Sequence, residues 1–535
     1  MQGFLTDIGQ FALLLAFGLS CYSLLASLLA GKVGHRRLAS TGERAAVAVC
    51  GLVTLSVISL WYQLITSNFQ IQYVASSSNQ SMPWYYKLGA LWGGQEGSLL
   101  FWCWILTIFS MVTVLIHRNR HPRLMPYVVG VVAMVTTFFL LVNNFIVNPF
   151  DAIGVSRAGE AAVPWTPPDG QGLNPLLQYW AMVIHPPILY VGYVGFTIPF
   201  AFAIAALITR ELDEDWIRTT RRWMMIPWLF LGTGVLLGAM WAYVVLGWGG
   251  YWGWDPVENA SLMPWLAGTA FLHSVIMQER KGMMKVWNMV LILATFLLCI
   301  LGTFLTRSGI VSSVHSFAQS PIGPYFSVFL ISMTAMSLYF LLSRLDALKS
   351  ENRLDSVVSR ESSFLFNNLL LLATTFAVLW GTIFPILSEW VTNEKRTVGA
   401  PFFNQVNIPI GLFLLFLTGV GPLLAWRKTS VHSLRKNFSI PLGTALIAGG
   451  LFVAFGMRHF YSTVCLTLCV FVLVTIITEF HRGARARRRQ GQSYWQALWT
   501  LTFRNTRRYG GYIVHVAMVF LFVGFAGAGF DKEVQ

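Results

Sequence analysis

Trp248-Gly249-Gly250-Tyr251-Trp252-Gly253-Trp254-Asp255-Pro256-Val257-Glu258-Asn259 sets three tryptophans and a tyrosine among three glycines, between two long apolar runs. Aromatic faces offer stacking surface, and glycine lets a backbone come close to a ligand. The pattern suits a flat, largely apolar molecule such as a porphyrin. It also suits an aromatic belt at a membrane interface, where Trp and Tyr collect. The end of the stretch carries two readings of its own. Asp255 as N-cap, Pro256 in the first turn and Glu258 three residues after Asp255 form a capping-box pattern. These residues either start a helix or take part in chemistry.

The flanks decide the fold. The chain of 535 residues is 55% hydrophobic and 11% charged, with a mean hydropathy of +0.61. A soluble protein would carry about a quarter charged residues. Apolar runs of about twenty residues recur along the whole length, each long enough to cross a bilayer. The expected fold class is an all-α polytopic integral membrane protein with about 14 transmembrane helices. The expected spans lie at about 5–30, 43–67, 99–116, 125–147, 187–208, 224–245, 257–278, 286–305, 322–343, 364–388, 407–426, 438–456, 460–480 and 510–530. The first run lacks the basic leader and A-x-A site of a cleavable signal. Three stretches follow: 1–147 with helices 1–4 and an outside Trp/Gly loop, 148–345 with His185, the Trp-rich stretch 241–265 and His315, and 346–535 with helices 10–14.

The net charge of +15 and pI near 9.7 reflect topology rather than nucleic-acid binding. Of the 37 Lys and Arg residues, 30 fall in alternate loops. The basic side is cytoplasmic. The N-terminus therefore lies outside the cytoplasm, an even number of spans brings the C-terminus to the same side, and the Trp-rich stretch faces outward. The Arg485-Ala486-Arg487-Arg488-Arg489 run reads as a lipid-headgroup contact. Six Cys occur, all within apolar runs and none in C-x-x-C. The chain thus shows no thiol-exchange motif and no covalent c-type haem site of its own.

Of the ten His, His35, His117, His121, His432 and His481 fall in basic loops and His459 in a tight outside turn, where they read as surface residues. His185 precedes Pro186-Pro187 and is expected at the outer mouth of its span; His315 follows in an outside loop. The two flank the Trp-rich stretch. His273 and His515 lie inside spans, at a similar depth on the cytoplasmic side of the midplane. An ionisable group within a span is costly and normally has a partner or a function. Two imidazoles at one depth suit a bis-His haem b; hydrogen bonds to neighbouring helices suit them as well. His185 and His315 suit a second haem at the outer face, with Arg307 and Lys87, among the few outside basic residues, as candidate propionate partners.

Together these residues resemble a known family. The 248–256 stretch is similar to the tryptophan-rich WWD signature of haem-handling proteins in cytochrome c biogenesis. Trp92-Gly93-Gly94-Gln95-Glu96-Gly97-Ser98, His185-Pro186-Pro187, and Thr303-Phe304-Leu305-Thr306-Arg307-Ser308-Gly309 leading to His315 resemble the CcmF haem lyases, from about residue 40 to the end. A paralogue serving the nitrite reductase pathway shares the signature.

The resemblance implies a periplasmic platform of Trp248, Gly249, Gly250, Tyr251, Trp252, Gly253, Trp254 and Asp255, with His185 and His315 holding the haem iron there. It implies a stable haem b on His273 and His515 that reduces haem delivered by a haem chaperone. Thioether attachment to the C-x-x-C-H of an apocytochrome c would follow, at the bacterial inner membrane. Other cytochrome c maturation proteins are expected partners, with a quinol as candidate electron donor and no nucleic acid. Family members continue past helix 14 into an outside domain and a last span, whereas this chain stops about five residues after it; a truncated product, a split gene or the shorter paralogue is the expectation. Two rivals remain. A haem transporter predicts internal repeats, and none is visible. A quinol-linked cytochrome b subunit accounts for His273 and His515 but not for the outer shelf.

Overall fold

Within lipid, backbone N–H and C=O groups find no water, so a spanning segment must satisfy them internally, and helices do so. The computed structural model describes residues 2–155, 163–246, 250–311, 321–350, 352 and 354–527. Among them are 14 helices long and apolar enough to cross a membrane, the expected number. Apart from these and a few short helices, the described residues hold one antiparallel pair of two-residue strands, Gly154–Val155 with Val163–Pro164.

The chain forms two compact units, Met1–Glu351 with Thr382–Thr397, and Asn352–Gly381 with Val398–Gln535. The division falls within the helix Arg360–Thr392. In the first unit, helices approach through small residues, as membrane helices do where burial supplies no hydrophobic drive. Ser23 Oγ donates to Gly42 O at 2.8 Å between helices Gln2–Val33 and Arg36–Ile65. Helix Trp180–Gly195 lies backbone to backbone on Glu214–Val245. A Cβ at Gly192 would land on the backbone nitrogen of Leu231, and one at Gly234 would sit 2.7 Å from the Cα of Leu189.

The structure departs from expectation in four places. The loop after the second span folds into short helices, Gln72–Ser77 and Trp84–Gly93, and the latter runs into Gln95–His117 with only Gly94 extended between them. Tyr73 holds that corner. Its hydroxyl lies 2.6 Å from Ala90 O, to which it donates, and accepts from Gly94 N at 3.2 Å. Burial pushes the phenol pKa up, so the donor stays protonated. A Cβ at Gly97 would meet the Leu91 carbonyl. The Trp92–Ser98 motif is thus a tight helix-to-helix junction.

The fifth span starts at Trp180 instead of after the prolines. Pro186 has no N–H for the carbonyl of Met182, but that carbonyl accepts from Trp92 Nε1 at 3.0 Å. His185 is therefore a helical residue, in the second turn of Trp180–Gly195. His117, read as a surface residue, is 6% exposed and accepts at Nε2 from Trp223 Nε1 at 3.0 Å. In the second unit, the Arg-rich stretch read as a loop contains the helix Tyr494–Arg504. Beside it, buried Glu479 pairs with Arg482 at 3.3 Å and with Arg508, and accepts from Tyr512 Oη at 3.3 Å.

Tyr73→Phe keeps the ring and removes the hydroxyl, leaving the Gly94 amide and the Ala90 carbonyl short of a partner. The expected loss is about 1–3 kcal/mol, read as a lower thermal midpoint of the purified protein in detergent. An unchanged midpoint would show that the corner does not depend on this hydroxyl.

Candidate functional site

The described part of the Trp-rich stretch is held by the start of helix Pro256–Lys281. Asp255 is the N-cap, its Oδ2 accepting from Val257 N at 2.9 Å, and the capping box with Glu258 forms. Glu258 also reaches further back. Its Oε2 accepts from Asp255 N at 3.0 Å and from Gly253 N at 2.9 Å. Between those amides lies Trp254, with φ +55°, a left-handed conformation that costs an L-residue about 1–2 kcal/mol. The Trp254 carbonyl accepts from Asn259 Nδ2 at 3.1 Å, and the same amide donates to Thr382 Oγ1 at 3.0 Å. The strained residue is thus tied on both sides.

The aromatic rings take defined places. Trp252 and Trp254 meet edge to face, 5.9 Å apart at 89°. Tyr251 stacks on Tyr243 in the last turn of Glu214–Val245, at 4.3 Å and 10°. A Cβ at Gly250 would meet nothing within 4 Å among the described residues. Trp248, Gly249 and His315 lie outside the described residues.

His185 Nδ1 is 2.8 Å from the carbonyl of Gly234. A carbonyl only accepts, so Nδ1 carries the proton and Nε2 the lone pair, the arrangement of a metal-binding imidazole. The ring covers Gly238, where a Cβ would lie 2.7 Å from His185 Cε1. Gly234 and Gly238 are one turn apart on one helix face. A small cavity, partly open to the exterior, is walled by His185, Gly238, Trp241, Trp252, Glu258 and Ser261 among others. The fold therefore brings His185 to the Trp-rich stretch. Trp252 Nε1 is buried and has no hydrogen-bond partner among the described residues. Aromatic walls, a lone-pair nitrogen and an orphaned donor are the chemistry that a metalloporphyrin needs.

Arg307 Nη2 donates to Tyr190 Oη at 3.2 Å, which ties it to the helix that bears His185. Lys87 is buried, and its Nζ donates to Ser67 Oγ at 2.8 Å. Neither is a wall residue of the cavity.

His273 also has Nδ1 on a carbonyl, that of Thr269 one turn earlier, at 2.8 Å. Its Nε2 is again the lone-pair nitrogen. Trp228 stacks on Trp265 nearby at 5.7 Å and donates to Thr269 Oγ1 at 2.7 Å. His273 lies about 12 Å along its helix from Lys281. His515 is half-buried in helix Thr506–Gly527, about 14 Å along from Thr506. It belongs to the second unit and His273 to the first.

Gly234, Gly238, Trp241, Asn259 and Ser261 escaped the reading of the sequence as site residues. Gly234 and Gly238 had a legible signal, two glycines four apart in an apolar run. Trp241 and Ser261 join the site only through helix packing.

Residues 92–311 match the family described as cytochrome C assembly protein. The chain is 36% identical over 487 residues to the cytochrome c-type biogenesis protein CcmF of Haemophilus influenzae, covering 91% of this chain and 74% of that protein. It is 37% identical over 497 residues to CcmF of Pseudomonas aeruginosa, again covering 91% and 74%. Among solved structures, that of the cytochrome c haem lyase CcmF matches with a TM-score of 0.79 at 29% identity, over 98% of this chain and 77% of the other.

Glu258→Ala leaves the Gly253 and Asp255 amides without their acceptor, at about 1–3 kcal/mol for each amide that stays buried. Hydrogen exchange read by mass spectrometry should accelerate over 250–258 and stay unchanged in distant helices. Equal exchange in variant and parent would remove Glu258 from its role as the clamp.

Proposed function

The chain belongs to the CcmF family of cytochrome c-type biogenesis proteins, and from that membership we propose that it is a cytochrome c haem lyase subunit that handles haem at the Trp-rich stretch. The observation that carries this reading is the cavity shared by His185 and Trp252. In this reading the platform is Trp248, Gly249, Gly250, Tyr251, Trp252, Gly253, Trp254 and Asp255, on the periplasmic face of the bacterial inner membrane. His185 offers Nε2 to the iron of the incoming haem, and His315 is the second ligand. Arg307, tied through Tyr190 to the helix that bears His185, and Lys87 are the candidate propionate partners, both reached from outside the cavity wall.

The chain's contribution is placement. Aromatic faces orient the porphyrin and hold its vinyl groups toward an apocytochrome c docked with its C-x-x-C-H motif. Each thioether forms as a cysteine S–H adds across a vinyl C=C: sulfur bonds to one carbon, hydrogen to the other, and nothing leaves. The nucleophiles come from the apocytochrome. Haem arrives with a haem chaperone, and other cytochrome c maturation proteins complete the assembly.

His273 and His515 are the residues that would hold a haem b within the membrane, where it would supply an electron to the incoming iron from a quinol-type donor. The Nδ1 bond of His273 to Thr269 O supports this, since it leaves Nε2 with the lone pair.

The purified protein should show a reduced low-spin b-type spectrum, lost in His273→Ala and in His515→Ala, each present in membranes at the parental level. His185→Ala should keep that spectrum yet leave cells with apocytochrome and no holocytochrome c. A colourless parent protein would sink the membrane haem; normal maturation with His185→Ala would sink the platform. Arg307→Ala should lower the haem recovered on the platform several-fold, and unchanged haem content together with unchanged maturation would exclude Arg307 as a propionate partner.

A further inference from the structure

The connection between the last two spanning helices is itself structured. Helix Phe460–Arg488 ends, helix Tyr494–Arg504 follows, and Thr506–Gly527 begins after Asn505 alone. Helix Tyr494–Arg504 starts with a capping box in which Ser493 Oγ accepts from Gln496 N at 3.3 Å and Gln496 Oε1 accepts from Ser493 N at 3.2 Å. At about 16 Å it is far shorter than the roughly 30 Å hydrocarbon core, so it does not span. Both neighbours are spans, so it stays at the membrane surface.

Its two faces differ. Ala497 and Leu501 are buried in the core of the second unit with Ala484 and Tyr509. Gly483 makes the contact feasible, since a Cβ there would meet the Tyr509 hydroxyl and, at 2.9 Å, Leu501 Cδ1. The opposite face carries Trp495, Trp499 and Phe503, which are 78%, 69% and 60% exposed. Spaced by four, they form one stripe. The segment from Arg482 to Arg508 holds eight arginines and no carboxylate. Arg482 and Arg508 pair with Glu479, while Arg485, Arg488, Arg489 and Arg504 stand exposed around the helix.

We propose that helix Tyr494–Arg504 and its flanking arginines form a binding surface for anionic phospholipid. The helix lies in the bilayer plane. Trp495, Trp499 and Phe503 enter the boundary between headgroups and acyl chains, and the arginines collect phosphodiester headgroups. An aromatic stripe beside a wholly cationic surround is the composition of an interfacial anchor, and the charge has its complement in an anionic leaflet. A soluble acidic partner would match the arginines but leave the large apolar stripe against water.

The full chain is placed in nanodiscs of phosphatidylcholine alone and of phosphatidylcholine with phosphatidylglycerol, and amide exchange is followed over 494–504. Phosphatidylglycerol should slow exchange by about tenfold, and added salt should weaken that effect. The variant Arg485→Gln, Arg487→Gln, Arg488→Gln, Arg489→Gln should exchange alike in the two lipids. The variant Trp495→Ser, Trp499→Ser, Phe503→Ser should exchange fast in both, with the remaining helices protected as in the parent. Equal parental exchange in the two lipids would overturn the proposal. So would protection that arises only when a second maturation protein is added, or a parental lipid response in the glutamine variant.

Discussion

Glu258 places one carboxylate oxygen between the amides of Gly253 and Asp255, and the shape of the site hangs on that contact. An irregular segment has no helix or sheet ladder to satisfy its N–H groups, so a side chain must do it. Glu258 solves this from within the helix that follows. Its charge also sits at the N-terminal end of that helix, where the backbone dipole favours it. Trp254, between the two fixed amides, takes a left-handed turn, and the rings of Trp252 and Trp254 meet edge to face with their planes nearly at a right angle. The same residues therefore start a helix and shape an aromatic surface, as the capping-box reading of Asp255 and Glu258 expects.

The second dependence is on glycine. Gly192, Gly234 and Gly238 bring helices Trp180–Gly195 and Glu214–Val245 to backbone contact. Only at that separation can an imidazole on one helix reach a main-chain carbonyl on the other. The close packing that replaces hydrophobic drive in lipid thus also selects the tautomer of His185. A larger residue at Gly238 would separate the helices or turn the ring, and either change would take Nε2 away from the cavity.

The spans were legible because lipid leaves a long apolar run no alternative to a helix, and Asp255-Pro256-Val257-Glu258 was legible because a cap is local chemistry. Features decided by distant side chains were not. The prolines after His185 signal a break, yet Trp92, far earlier in the chain, supplies the donor that lets the helix continue. His117 sits among arginines in the sequence, while Trp223 buries it from another helix. Helix Tyr494–Arg504 had its periodic stripe in plain view, with Trp495, Trp499 and Phe503 spaced by four, but its length fell short of a span and the arginines dominated the reading. The division into two units, which cuts through the helix Arg360–Thr392, has no signature in composition at all.

His185 and His273 use one device with different dependence. Each ties Nδ1 to a carbonyl and so presents Nε2, but His273 uses the carbonyl of its own helix one turn back, and His185 uses that of a neighbouring helix. The first restraint exists wherever helix Pro256–Lys281 is formed. The second exists only while two helices stay at glycine-limited distance. A permanent cofactor is best served by a ligand whose orientation is local and always present. A site that receives and releases its cargo is better served by a ligand whose orientation follows a helix–helix contact, since a small shift of that contact changes the ligand without unfolding anything.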